Sequence, residues 1–120
     1  MSFVATGTAL VTTGTDGAGT GYTPVLTGAV QSVRYVKTDF ADGVDFDVTV
    51  ESTGEILWDQ DNVNAAAIRY PRLVGHDGTG VALTGTAHAV YPIAVANDRI
   101  KCVVANGGSV KTGAFVVTVA

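Results

Sequence analysis

Four carboxylates, Asp39, Asp42, Asp45 and Asp47, fall within nine residues. A hard cation such as calcium takes several carboxylate and carbonyl oxygens, and an aspartate-rich turn beside Gly43 offers them. The spacing departs from the Asp-x-Asp-x-Asp-Gly order of a calcium loop. A turn followed by a solvated strand face accounts for the same residues, so no metal or cofactor is expected. Asp45 and Asp47 lie two residues apart, about 6.5–7 Å in an extended strand. Inverting glycosidases use carboxyl pairs at that separation, but their pairs flank a cleft, and nothing in the sequence suggests one here. His76 and His88 are the two histidines. Zinc asks for three or four ligands at suitable spacing, so both read as isolated polar residues. Cys102 is in phase with Ile100 and Val104 and reads as a small buried hydrophobe. The Ser-x-x-Lys and Gly-x-Ser-x-Gly contexts of nucleophilic serines are missing. The chain is expected not to be an enzyme.

A second set of residues suits binding rather than catalysis. Arg69, Tyr70, Pro71 and Arg72 form a planar, aromatic and charged stretch of the kind that anchors protein interfaces. Trp58, beside Asp59 and Asp61, suits sugar stacking, an interface or the core, since it is in phase with Ile56. Arg69, Tyr70, Arg72 and Trp58 are therefore the interface candidates.

The elements that must position these residues follow from composition and pattern. Val, Thr, Ala and Gly supply 67 of the 120 residues, while Leu and Ile together reach nine. Abundant β-branched residues and glycine exclude a helical bundle. A 47% apolar fraction with a net charge of −4 excludes ordinary disorder. The seven basic residues are scattered, so direct nucleic-acid binding is not expected. No apolar run reaches the roughly 18 residues of a membrane span. The start, Met1 to Val4, lacks the basic and apolar regions of a signal peptide. With one cysteine no internal disulfide forms, and a reducing compartment of synthesis is expected.

Strand and turn alternate along the chain. Phe3 to Thr13 alternates, with Ala5, Gly7, Ala9 and Val11 on one side. Gly14 to Gly21 reads as a flexible hairpin loop, so residues 1–21 form an extended strand or arm ending in glycines. Tyr22 to Lys37 is a long extended stretch entered at Pro24. Asp42-Gly43 marks a hairpin turn. Val44 to Glu51 has the cleanest alternation: Val44, Phe46, Val48 and Val50 inward, Asp45, Asp47, Thr49 and Glu51 outward. Thr53-Gly54 turns the chain into Ile56-Leu57-Trp58. Asp59 to Asn62 is polar, and Val63 to Tyr70 is expected as a strand ending before Pro71. Gly75 to Gly80 is a second glycine-rich loop. Thr86 to Val95 is a strand with Pro92 inside it, hence at an edge. Asn97-Asp98 is a tight turn, and Arg99 to Ala105 alternates with Ile100, Cys102 and Val104 inward. Asn106-Gly107-Gly108 reads as a primed hairpin turn into the last strand, Ala114 to Val119. The sum is a single all-β domain over residues 1–120: a β-sandwich or jelly-roll-like barrel of about eight mostly antiparallel strands.

The stretch Tyr35-Val36-Lys37-Thr38-Asp39-Phe40-Ala41-Asp42-Gly43-Val44-Asp45-Phe46, with Thr53-Gly54 and Trp58 after it, resembles small tailed-bacteriophage virion proteins. The end of the chain is similar to the same group, from Asp98-Arg99-Ile100-Lys101 through Ala105-Asn106-Gly107-Gly108 to Lys111-Thr112-Gly113. The resemblance implies a non-enzymatic structural protein of the particle, a capsid decoration (cement) protein on the major capsid protein lattice. It also implies a homo-oligomer, a trimer by preference, made in the host bacterial cytoplasm and located in the virion. A neck, collar or tail component is the nearest alternative, and a carbohydrate- or receptor-binding β-sandwich module using Trp58 and Tyr70 the next.

Overall fold

The computed structural model describes residues 4–84 and 90–120. Eleven strands run through these residues and no helix is present among them. They are β1 (Ala5–Thr12), β2 (Gly19–Tyr22), β3 (Leu26–Lys37), β4 (Val44–Val50), β5 (Ile56–Val63), β6 (Ala67–Arg69), β7 (Leu73–Val74), β8 (Val90–Tyr91), β9 (Ile93–Asp98), β10 (Ile100–Ala105) and β11 (Thr112–Val119). One sheet has the order β1-β11-β3-β6, with β9 also on β3; the other has the order β2-β10-β4-β5. All pairings are antiparallel. The two sheets curl toward each other into a barrel-like sandwich. The all-β, single-domain reading of the sequence is thus the observed architecture.

The period-2 patterns locate the core. In β4, Val44, Phe46, Val48 and Val50 are buried while Asp47 faces solvent. In β1, Gly7, Ala9 and Val11 point inward, and Leu10 points out at 76% exposure. Ile100, Cys102 and Val104 of β10 and Phe115, Val117 and Val119 of β11 complete the interior. At its centre Tyr35, Phe46 and Phe115 pack ring on ring, with centroids 5.0–5.4 Å apart. Trp58 meets Phe46 edge to face at 4.7 Å. Each such pair adds about 0.5–1.5 kcal/mol beyond the area it buries.

Connectivity differs from a run of hairpins. The chain passes from one sheet to the other at almost every step, and β4–β5 is the hairpin that stays within the sandwich. Asn106 to Gly108 is therefore a crossover, since β10 and β11 lie in different sheets. Asn106 (φ 56°) and Gly108 (φ 90°) do take the left-handed conformation. Their loop closes on the other glycine-rich turn, where Gly107 N–H donates to Gly17 O at 2.9 Å.

Gly14 to Gly21 is not a loose tip. Its second half is β2, and its first half is a turn closed by Ala18 N–H on the Asp16 carboxylate. The polar stretch Asp59–Asn62 continues β5 instead of breaking it: Asp59 stays paired with Asp47 and Gln60 with Phe46, and a register shift beyond them turns Val63 inward at 5% exposure. The strand expected over Val63 to Tyr70 shortens to β6, and Pro92 separates β8 from β9. The first residues of the strand expected over Thr86 to Val95, with His88, lie outside the described residues.

Candidate functional site

Trp58, Arg69, Tyr70 and Arg72 are brought to one side of the molecule by β5, β6 and the segment after it. Trp58 is a core residue, so its ring is not the exposed platform that sugar stacking would need. Its indole N–H donates to Gln60 Oε1 at 2.8 Å, two residues along the same strand face. Arg69 crosses from the other sheet, stacks its guanidinium 5.1 Å from the Trp58 ring centre and donates to the same Gln60 oxygen at 3.3 Å. This cation–π contact at a partly exposed site contributes about 0.5–1 kcal/mol. Arg72 is also held, although it is exposed. Its Nη1 donates to the backbone oxygens of Pro71 (2.7 Å), Gln31 (3.2 Å) and Val30 (3.4 Å). Both arginines are therefore positioning residues. Both arginines nevertheless stay exposed, as does Tyr70 at 63%.

The Arg72 anchor fixes the root of a projecting feature that the sequence reading missed. Residues 71–84 and 90–92 form a small arm in which Leu73 pairs with Tyr91 and Val74 with Val90. A tight turn continues it, with a bridge between His76 and Ala82. Leu83 N–H donates to Gly75 O, and Asp77 N–H to Val81 O, both at 2.9 Å. Asp77 organises the turn by accepting from Thr79 N–H, Thr79 Oγ1 and Val81 N–H. Those bonds, the Thr79 hydroxyl first, hold its carboxyl below the usual range. The signal for the arm was present in the sequence: apolar residues flank the Gly75–Gly80 loop, and Pro71 and Pro92 bracket the whole excursion.

The four aspartates of the calcium candidate go to different partners. Asp39 accepts from Thr112 N–H at 2.5 Å, and that bond is the first cause of its lowered pKa. Asp42 pairs with Lys37, whose ammonium also donates to Asn64 O at 3.0 Å. Asp45 accepts from Asn62 N–H (2.9 Å) and Asn106 Nδ2 (2.6 Å), which lower its pKa in that order. Asp47 lies directly across from Asp59. Its carboxyl is pushed above the usual range, first by the hydrogen bond with Asp59, then by burial and by the charges of Asp59, Asp61 and Asp45. Among the described residues no three His, Cys, Asp or Glu side chains gather as a metal site. The carboxylates tie loops together at one end of the sandwich and crowd one another on the outer face of β4 and β5.

Asp45 and Asp47 do share a shallow hollow of about 240 Å³ with Phe46, Asp61, Val103 and Ala105. Asp45 spends its two oxygens on Asn62 and Asn106, so the pair lacks a free base facing a free acid. At the other end of the second sheet Arg99 grips Glu51 through two bonds of 2.5 and 2.6 Å and stacks 4.0 Å from the Tyr22 ring centre. Cys102 is fully buried, and burial alone pushes its thiol up to about 12, which keeps it protonated and unreactive.

Comparison of the chain with family models, with curated proteins and with solved structures finds no match.

Proposed function

We propose that this chain is a non-enzymatic structural protein of a tailed-phage particle, a capsid decoration protein that binds the major capsid protein lattice and stabilises the head. The observation that carries the reading is the likeness of Tyr35–Phe46 and of the segment Asp98–Gly113 to small virion proteins of tailed phages. The fold supports it from another direction. The polar side chains singled out as candidate chemistry hold loops and seams, and Leu73, Val81, Leu83, Val90 and Tyr91 stand exposed on the arm. Surface of that kind serves protein neighbours. The reading includes a homo-oligomer, a trimer by preference, synthesised in the host cytoplasm.

The test uses capsid shells assembled from the major capsid protein of the phage that carries this chain. Added protein should co-sediment with the shells at a fixed ratio and raise their disassembly temperature. Binding to purified necks or tails but not to shells would move the protein to those parts of the particle. Binding to none of the three overturns the reading.

A further inference from the structure

We propose that Asn106 is a self-modification site, converted to aspartate or isoaspartate by attack of the following backbone nitrogen, and that the Gly17 turn and Asp45 hold the reaction back in the folded chain. Asparagine is one of the thermolabile side chains. The reaction is easiest where the next residue is glycine, whose missing Cβ leaves the backbone nitrogen open to approach. The chain has four asparagines, Asn62, Asn64, Asn97 and Asn106, followed by Val63, Ala65, Asp98 and Gly107. Asn106 is thus the one whose sequence favours reaction. It is exposed at the end of the sandwich and borders an open hollow of about 330 Å³ with Thr15, Asp16 and Ser109, so water reaches it.

The step balances with water as the only other reactant. Gly107 N loses its proton and bonds to Asn106 Cγ. The Cγ–Nδ2 bond breaks, and the amide nitrogen takes up a proton and leaves as ammonia. Water then opens the five-membered imide at either carbonyl. One opening leaves aspartate, and the other leaves isoaspartate, with the main chain rerouted through the side-chain carbons.

Two contacts must be released first. Gly107 N–H donates to Gly17 O at 2.9 Å, so the attacking nitrogen is occupied. Gly17, at φ 82°, packs its bare α-carbon on the same peptide: a Cβ there would stand 3.4 Å from Gly107 N and 3.6 Å from Asn106 Cα. Asn106 Nδ2 donates to Asp45 at 2.6 Å, which ties down the group that must turn toward Gly107 N. The Asp45 carboxylate also sets a negative charge beside a step in which a proton must leave. Reaction therefore waits on local opening of these loops, which takes less free energy than global unfolding. The product does not close again. Gly107 is buried, accepts from Ala41 N–H, and has Thr13, Val104 and Phe40 within 3.0–3.3 Å of where its Cβ would be. A longer main chain ahead of it has no room there, and an aspartate at 106 turns a second carboxylate on Asp45. The modification thus marks chains whose loop end has opened.

Mass spectrometry of the tryptic peptide Cys102–Lys111, sampled over days at mildly alkaline pH, tests this. In urea Asn106 should convert about tenfold faster than Asn62, Asn64 or Asn97, none of which precedes a glycine. In the folded chain it should be slowed about tenfold or more, because the open fraction alone reacts. Gly17→Ala and Asp45→Ala should bring the rate severalfold back toward the unfolded value while keeping the β-sheet circular dichroism. Equal rates in the folded and unfolded chain, an unfolded chain with no preference for Asn106, or folded variants that convert at the wild-type rate overturn the proposal. Should the variants fail to fold, the wild type decides. Warmed below its melting transition, it should show deuterium exchange of Gly107 N–H and conversion of Asn106 rising together. Conversion that begins only at the global transition refutes the local gate.

Discussion

The two sheets meet along two seams that are closed by opposite means. On one side β1 and β2 approach backbone to backbone. A Cβ on Gly19 would stand 2.7 Å from Thr12 O, and one on Gly21 would run into Leu10 O. On the other side β5 and β6 stay apart, and large side chains fill the space: Trp58 from one sheet, Arg69 from the other, Gln60 accepting from both. One seam is built by leaving side chains out, and the other by putting them in. The difference teaches that alanine is not a neutral probe here. It adds volume at the first seam and removes it at the second.

The sharpest test of the contrast is Trp58→Ala, which should cost about 3–5 kcal/mol by denaturant unfolding, since it leaves a cavity against Phe46. Gly21→Ala should cost about 1–3 kcal/mol or more, because the methyl group meets a backbone carbonyl that has no alternative place. If Gly21→Ala is neutral, the backbone contact between β1 and β2 is looser than described. Arg69→Ala should cost about 0.5–1 kcal/mol, the scale of an exposed cation–π contact. Arg69→Lys should recover only part of that loss, because an ammonium lacks the planar stack. The smallest expected effect lies beside the second seam. Asp47 has a raised carboxyl pKa, so the folded state binds more protons than the unfolded one and stability falls as pH rises through that window. Asp47→Asn should therefore raise the melting temperature at pH 7 by about 1–3 °C, the scale of a relieved cross-strand like-charge pair in solvent. The gain should vanish below pH of about 3.9, where the unfolded aspartate is protonated as well. Asp39 and Asp45 carry the opposite sign. Their lowered values give stability that is lost as pH falls through them, so Asp45→Asn should lower the melting temperature at pH 7 and have no effect in strong acid.

Alternation carried most of the fold. Val44 to Glu51, Arg99 to Ala105 and the strand beginning near Val4 each announce a wet and a dry face, and each has one. Sheet membership was not legible, because a local pattern says which face is dry and not which sheet covers it. Asn106-Gly107-Gly108 has the dihedral chemistry of a hairpin and serves as a crossover instead. The glycines of β2 were misread for a related reason. Flexibility and close approach select the same residue, and only the position of Leu10 O and Thr12 O distinguishes them. Among the interface candidates, Tyr70 kept its surface place. Arg69 and Arg72 stay exposed as well, tied to the Trp58 ring and to the carbonyls of β3, and Trp58 alone went inward, against Phe46.

The pairing of β1 with β11 sets a schedule. Ala5 lies against Val119 and Thr12 against Thr112, so the first strand of the sandwich waits for the last. β3 receives its long neighbour from the same final strand. During synthesis neither strand has its central partner until β11 has been made, and the apolar faces of both must be kept from other chains in the meantime. A sheet assembled from such distant segments closes slowly, on the millisecond-to-second scale of non-local β folds. A chain cut before β11 would lose the middle of a sheet rather than a tail.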